Sequence, residues 1–96
     1  GISGAVADVV GKLLKTLSLK RQVLCVTHLP QVAAYGKNHL HVSKAEENAT
    51  TVSHVNALTE NGRIQELARM LGGEHVTEKA LENAKELLQI AQKAEH

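Results

Sequence analysis

Gln22-Val23-Leu24-Cys25-Val26-Thr27-His28-Leu29-Pro30-Gln31-Val32-Ala33-Ala34-Tyr35-Gly36 is the stretch that decides how this chain is read. From Val23 to Thr27 the residues are apolar or β-branched without interruption. That run predicts a short strand buried on both faces. It stops at Thr27-His28, and Pro30 follows, a residue suited to the first turn of a helix, where its missing N–H costs nothing. Gly36 supplies a stop. His28 is therefore expected where a buried strand ends and a short helix begins. In open α/β sheets, ligands bind outside the carboxyl ends of the strands. A histidine at a strand end is otherwise commonly a solvated or satisfied residue, and it is the placement that makes this one a candidate.

Upstream, Ser3 is an N-cap candidate for a helix from Ala5 to about Leu17. Its apolar stripe is Val6, Val9, Val10, Leu13, Leu14 and Leu17. Gly11 inside it weakens the helix by ~1 kcal/mol relative to alanine, which points to close packing against a neighbour. Downstream, His39 to Lys44 alternates polar and apolar and predicts a half-buried strand. Ala45 to Ala49 reads as a turn, and Thr50 to Ala57 as the returning strand of a hairpin. Asn61-Gly62 marks a turn or a frayed helix start. Ile64, Leu67, Ala68 and Leu71 then fall at helical spacing, and Gly72-Gly73 ends that helix. Thr77 can cap a last helix whose stripe is Ala80, Leu81, Ala84, Leu87, Leu88 and Ala91. The expected class is α/β, with neither an internal repeat nor a low-complexity segment.

With 96 residues the chain makes one small domain, 1–96. Tyr35 is its only aromatic residue, so the core must be aliphatic and thin. A net charge of +1 gives no case for direct nucleic-acid binding. The scarcity of aromatics argues against a base-stacking platform. Cys25 is the single cysteine, which rules out an internal disulfide or a multi-cysteine zinc site. It reads as a buried core residue with no basic neighbour to activate it. A reducing cytoplasm fits. No apolar run approaches the ~20 residues that span a bilayer, and no signal peptide is apparent. Opening on Gly1 rather than Met, the chain reads as a fragment of something longer.

No complete catalytic set is present. There is neither a phosphate-cradling glycine loop with lysine nor an acidic pair at the end of an apolar strand. Taken alone, Gly1-Ile2-Ser3-Gly4 is a plain turn. His39 and His41 share one face of a strand, and a register pairing Ala45 with Thr50 would set His54 opposite His41. Three imidazoles could then bind zinc. A one-residue slip removes His54 from that face, and no carboxylate or cysteine completes the set. A solvated histidine face is the preferred reading, with no metal. Arg63 and Arg69 flank the Ile64–Leu71 stripe and read as solvated helix charges, with an interdomain contact as the alternative.

Three stretches together are specific. Gly1-Ile2-Ser3-Gly4 before a helix, then Val26-Thr27-His28-Leu29-Pro30-Gln31-Val32-Ala33, then Gln65-Glu66-Leu67-Ala68-Arg69-Met70-Leu71-Gly72-Gly73, resemble the C-terminal end of the RecN family of bacterial DNA repair proteins. The resemblance keeps order and spacing over nearly the whole chain. That family is similar to the SMC proteins, with an ABC-type ATPase head whose halves are joined by a long coiled coil.

The resemblance implies a partial P-loop ATPase (ABC/SMC head) fold, a short mixed sheet with flanking helices. Gly1, Ile2, Ser3 and Gly4 would match the tail of the D-loop at the head–head interface. His28 would match the switch histidine of the H-loop, which approaches the ATP γ-phosphate. Walker A, signature and Walker B motifs would all precede Gly1. ATP and Mg²⁺ are then expected as cofactors of the intact protein, with none for this chain alone. The implied partners are the N-terminal part of the head, a second RecN-like head in a homodimer, and DNA through the intact protein. The setting would be recombinational repair of double-strand breaks in the cytoplasm, with no membrane.

In such a head the strand after Walker B lies between the Walker A and Walker B strands. Val23 to Thr27 would then lack both neighbours, and is expected to pair with the hairpin or with a second copy instead. The alternatives from other classes are a small α/β interaction domain without a nucleotide role, and a histidine-hairpin metal module.

Overall fold

Ser3 starts the first helix as its capping pattern predicts: its Oγ accepts a hydrogen bond from the Val6 N–H at 3.3 Å. The computed structural model describes residues 3–93. In chain order the elements are α1 (Gly4–Ser18), α2 (Pro30–Ala33), β1 (Leu40–Glu47), β2 (Thr50–Ala57), α3 (Glu60–Gly72) and α4 (Glu78–Lys93). The architecture is a small α/β fold in which one antiparallel hairpin accompanies four helices. Among the described residues no helix is long and apolar enough to cross a membrane.

Caps and breakers set most boundaries. Pro30 opens α2 at its first turn. Thr59 caps α3 by accepting from the Gly62 N–H at 3.1 Å, so Asn61-Gly62 lies inside the first helical turn. Gly73 ends α3 with a φ of 77°, a left-handed conformation that glycine adopts without penalty. Thr77 accepts from the Ala80 N–H at 3.0 Å at the start of α4.

The core lies between α3 and α4 and is closed by the turn after α2. Leu67, Ala68, Ala80, Ala84, Leu88 and Ala91 are buried there beside Ala34 and Tyr35. The many alanines keep side-chain volume low, which lets the two helices approach closely but limits the apolar surface they remove from water.

Several expectations are corrected. Val23 to Thr27 forms no strand. It runs unpaired, and Leu24 and Val26 are 82% and 95% exposed. β1 and β2 pair only with each other, so the mixed sheet and the rearranged pairing with the hairpin are not found. A strand needs a neighbouring backbone for its N–H and C=O groups, and the hairpin offers none alongside. Cys25, expected in the core, is exposed as part of the same segment.

The α1 stripe is reversed as well. Ala7 and Gly11 are its buried residues, whereas Val6, Val9, Val10, Leu13 and Leu17 are exposed. The hairpin likewise turns Leu40 and Val42, with Val55 opposite Val42, outward. Amphipathic patterning states that one face is to be buried, and among the described residues no surface covers these faces of α1 and the hairpin.

Candidate functional site

His28 lies in the short connection between the exposed segment Val23–Thr27 and α2. Three local contacts shape its backbone. The Leu29 N–H donates to Thr27 Oγ1 at 3.0 Å, closing a small side-chain turn over His28. The Leu29 carbonyl accepts from Val32 and Ala33, at 3.1 and 3.0 Å, which begins α2. Pro30 is buried and Leu29 half-buried, while the imidazole of His28 is exposed. His28 is thus offered to solvent from a held turn.

Helices α1 and α2 lie side by side with their N-termini at one end. A Cβ at Gly4 would sit 3.6 Å from Gln31 Nε2. One helical turn further on, the Tyr35 hydroxyl donates to Asp8 Oδ1 at 2.6 Å. Gly11 then meets the Tyr35 ring, where an added Cβ would lie 2.3 Å from Cδ2. Gly11 is therefore explained by close packing, as its position in the sequence suggests. Lys12 pairs with the second Asp8 oxygen at 3.1 Å. The Tyr35 hydrogen bond, with Lys12 beside it, holds the Asp8 carboxyl below its usual range. Burial, reinforced by Asp8, pushes the Tyr35 phenol up to about 12. The structure thereby brings Ser3 and Gly4 next to the helix that follows His28. Gly1 and Ile2 lie outside the described residues.

Arg63 is the residue that sequence reading missed. Read as a solvated helix charge, it is instead only 8% exposed. Its guanidinium donates to the Gly36 carbonyl at 2.9 Å, and more weakly to those of Ala33, Ala34 and Lys37 at 3.3 to 3.4 Å. The signal was present: Arg63 precedes Leu67 by one helical turn and shares its buried face. Arg69 does behave as a surface charge, with its Nε 3.0 Å from both carboxylate oxygens of Glu66.

The hairpin histidines separate. The observed register pairs Ser43 with His54 and His41 with Asn56, two residues from the expected register. The two-residue turn Asn48-Ala49 is shorter than the one read from sequence and draws Glu47 and Thr50 into the ladder. His41 approaches Glu66 at 3.7 Å, while His54 contacts Glu47 at 3.0 Å near the other end of the hairpin. His39 is half-buried, and burial together with Arg63 lowers its pKa. Among the described residues no group of three His, Cys, Asp or Glu is gathered to hold a metal ion. A cleft of about 340 Å³ between α1, the Tyr35 turn and α4 lies at the far end of α1, next to Lys15 and Ser18, away from His28.

No family model matches the chain. Curated proteins do. The chain is 54% identical over 88 residues to the DNA repair protein RecN of Vibrio cholerae. It is 51% identical over 90 residues to that of Haemophilus influenzae and 40% identical over 91 residues to that of Bacillus subtilis. These matches cover 92 to 95% of this chain but 16% of each relative. The resemblance seen in the sequence therefore holds: nearly the whole chain matches a segment of RecN, and it spans about 16% of the length of the curated relatives it matches.

Proposed function

We propose that this chain is the part of a RecN-like ATPase head that carries the H-loop histidine and the end of the D-loop, within a protein acting in recombinational repair of DNA double-strand breaks. The observation that carries this reading is the side-by-side packing of α1 and α2. It sets Ser3 and Gly4 at the same end of the molecule as the turn that presents His28. Two elements with matching roles in one ATP site would have to meet in this way. The outward-facing apolar surfaces of α1, Val23–Thr27 and the hairpin add support, since monomers rarely leave such patches open. The rest of a head would cover them, with Val23–Thr27 as a central strand. A free-standing interaction domain would leave all three in water until a partner covered them.

In this reading His28 is a hydrogen-bond donor aimed at the γ-phosphate. Phosphoryl transfer passes through a loose transition state in which charge is spread over the equatorial oxygens, and a fixed donor stabilises that charge without reorganising. The exposed imidazole on its held turn suits such a role. Ser3 and Gly4 would lie at the contact with a second head, in a homodimer that works on DNA. Mg²⁺ and the anchoring of the phosphates are assigned to the remainder of the head, where the resemblance implies the Walker A and Walker B motifs.

The test is His28→Ala in the full-length protein. Turnover of ATP should fall ~10²-fold, the usual loss for one such donor, while ATP binding changes little. Unchanged turnover in a folded variant would remove His28 from the mechanism.

A further inference from the structure

We propose that Arg63, on α3, is a positioning residue for His28: it locks the carbonyl cluster at the end of α2 and so fixes the turn on which the imidazole is presented. The inference rests on the reading of His28 as the group that meets the phosphate.

The argument starts from the weakness of α2. It has four residues, far below the length at which a helix holds itself. Its last carbonyls, and those of the turn beyond, point at one place. Arg63 fills that place with a planar fork of donors, strongest to Gly36 at 2.9 Å and reaching Ala33, Ala34 and Lys37. A guanidinium suits a divergent set of acceptors in a way that a compact ammonium does not. The charge is also favourable at the C-terminal end of a helix.

Burying that charge is unfavourable. Desolvation lowers the Arg63 pKa, and its Nε is buried without a hydrogen-bond partner. An apolar residue of similar volume would fill the same space beside Leu67 without burying a charge. What an apolar residue would not do is bind the carbonyls, which would then be free to move with the turn.

From that anchor the path to His28 is short and rigid. The Gly36 and Ala34 N–H groups donate back to Ala33 and Pro30, and α2 donates to the Leu29 carbonyl. Leu29 in turn donates to Thr27 Oγ1, and His28 lies between those two residues. On the other side, Tyr35 ties the same turn to Asp8 on α1. Arg63 therefore sets where α2 ends, and α2 sets where His28 begins. A shift of about 1 Å in a catalytic group can cost ~10²-fold in rate.

The experiment compares ATP turnover of the full-length protein carrying Arg63→Lys, Arg63→Gln, His28→Ala, and each Arg63 change combined with His28→Ala. Melting temperatures are measured in parallel. Each Arg63 variant should stay folded and lose about 10- to 100-fold in kcat with little change in KM for ATP. In the His28→Ala background the same changes should cost nothing further, because the group they place is gone. Equal losses in both backgrounds would overturn the proposal while leaving the role of His28 standing. So would Arg63 variants that melt below the assay temperature, since they would assign the residue to stability. If His28→Ala itself leaves turnover unchanged, the underlying reading fails and takes this one with it.

Discussion

Gly11 and Tyr35 are in contact across the α1–α2 interface so closely that a Cβ on residue 11 would lie 2.3 Å from Tyr35 Cδ2 and 3.0 Å from Cε2. Tyr35 is 6% exposed, so its ring has little room to withdraw. The missing side chain at residue 11 is what lets the phenol reach Asp8 from beneath α1.

Gly11→Ala is therefore expected to destabilise the chain by about 1–2 kcal/mol. Overpacking costs ~1–3 kcal/mol, and the better helix propensity of alanine returns up to ~1 kcal/mol of it. Urea denaturation compares the two proteins. A more stable Gly11→Ala variant would mean that the ring moves aside freely.

Tyr35→Phe should remove about 1 kcal/mol, less than a fully buried bond to a charged group because Asp8 is 39% exposed. The loss should depend on pH in a definite way. The Asp8 pKa is depressed in the folded state, so its contribution is complete above the ordinary 3.8 and lost as pH falls through the lower value. Tyr35 is raised from 10.0 to about 12, so its contribution is complete below pH 10 and lost as pH rises through 12. The difference in stability between wild type and Tyr35→Phe should hence be level from about pH 5 to 9 and shrink outside that window. A difference that grows toward acid would contradict the assigned hydrogen bond.

Ala49→Gly should stabilise the hairpin by roughly 0.5–1 kcal/mol. Asn48 and Ala49 both have positive φ, 52° and 62°, as a two-residue turn of type I′ requires. Asparagine tolerates this conformation, whereas alanine holds it at a cost of ~1–2 kcal/mol. Slower amide exchange across β1 and β2 would accompany the gain. Unchanged stability would show that the turn is not strained.

Val26→Asp should alter the stability of this chain by less than ~0.5 kcal/mol, because the side chain is 95% exposed. In the full-length protein the same change should be severe, on the order of 3 kcal/mol or more, if Val26 belongs to a buried central strand. Thermal melting of both proteins reads the contrast. Tolerance in the full-length protein would refute the assignment of Val23–Thr27 to its core.

Much of the local structure is legible in the residues. Ser3, Pro30, Thr77 and Gly73 mark their helix ends through hydrogen bonds and φ preferences that span only a few residues. The stripes of α3 and α4 identify the faces that meet, since each helix carries its partner within the same chain. The start of α2 just after His28 is likewise legible from Pro30, because that signal is local.

The sequence by itself determined where the longer helices begin and end, because caps, breakers and periodicity act over one or two turns. Which faces are covered was decided only by tertiary structure. The stripe of α1 and the run Val23–Thr27 announce burial, yet burial needs a partner surface, and the nearest one here buries only Ala7 and Gly11 of α1. The register of β1 on β2 followed the length of the turn at Asn48-Ala49, a single choice that moved His54 away from His41. Arg63 depended most on the fold. A cation on a helix is ordinarily solvated, and only the convergence of four carbonyls, 26 to 30 residues away in the chain, makes its burial stable.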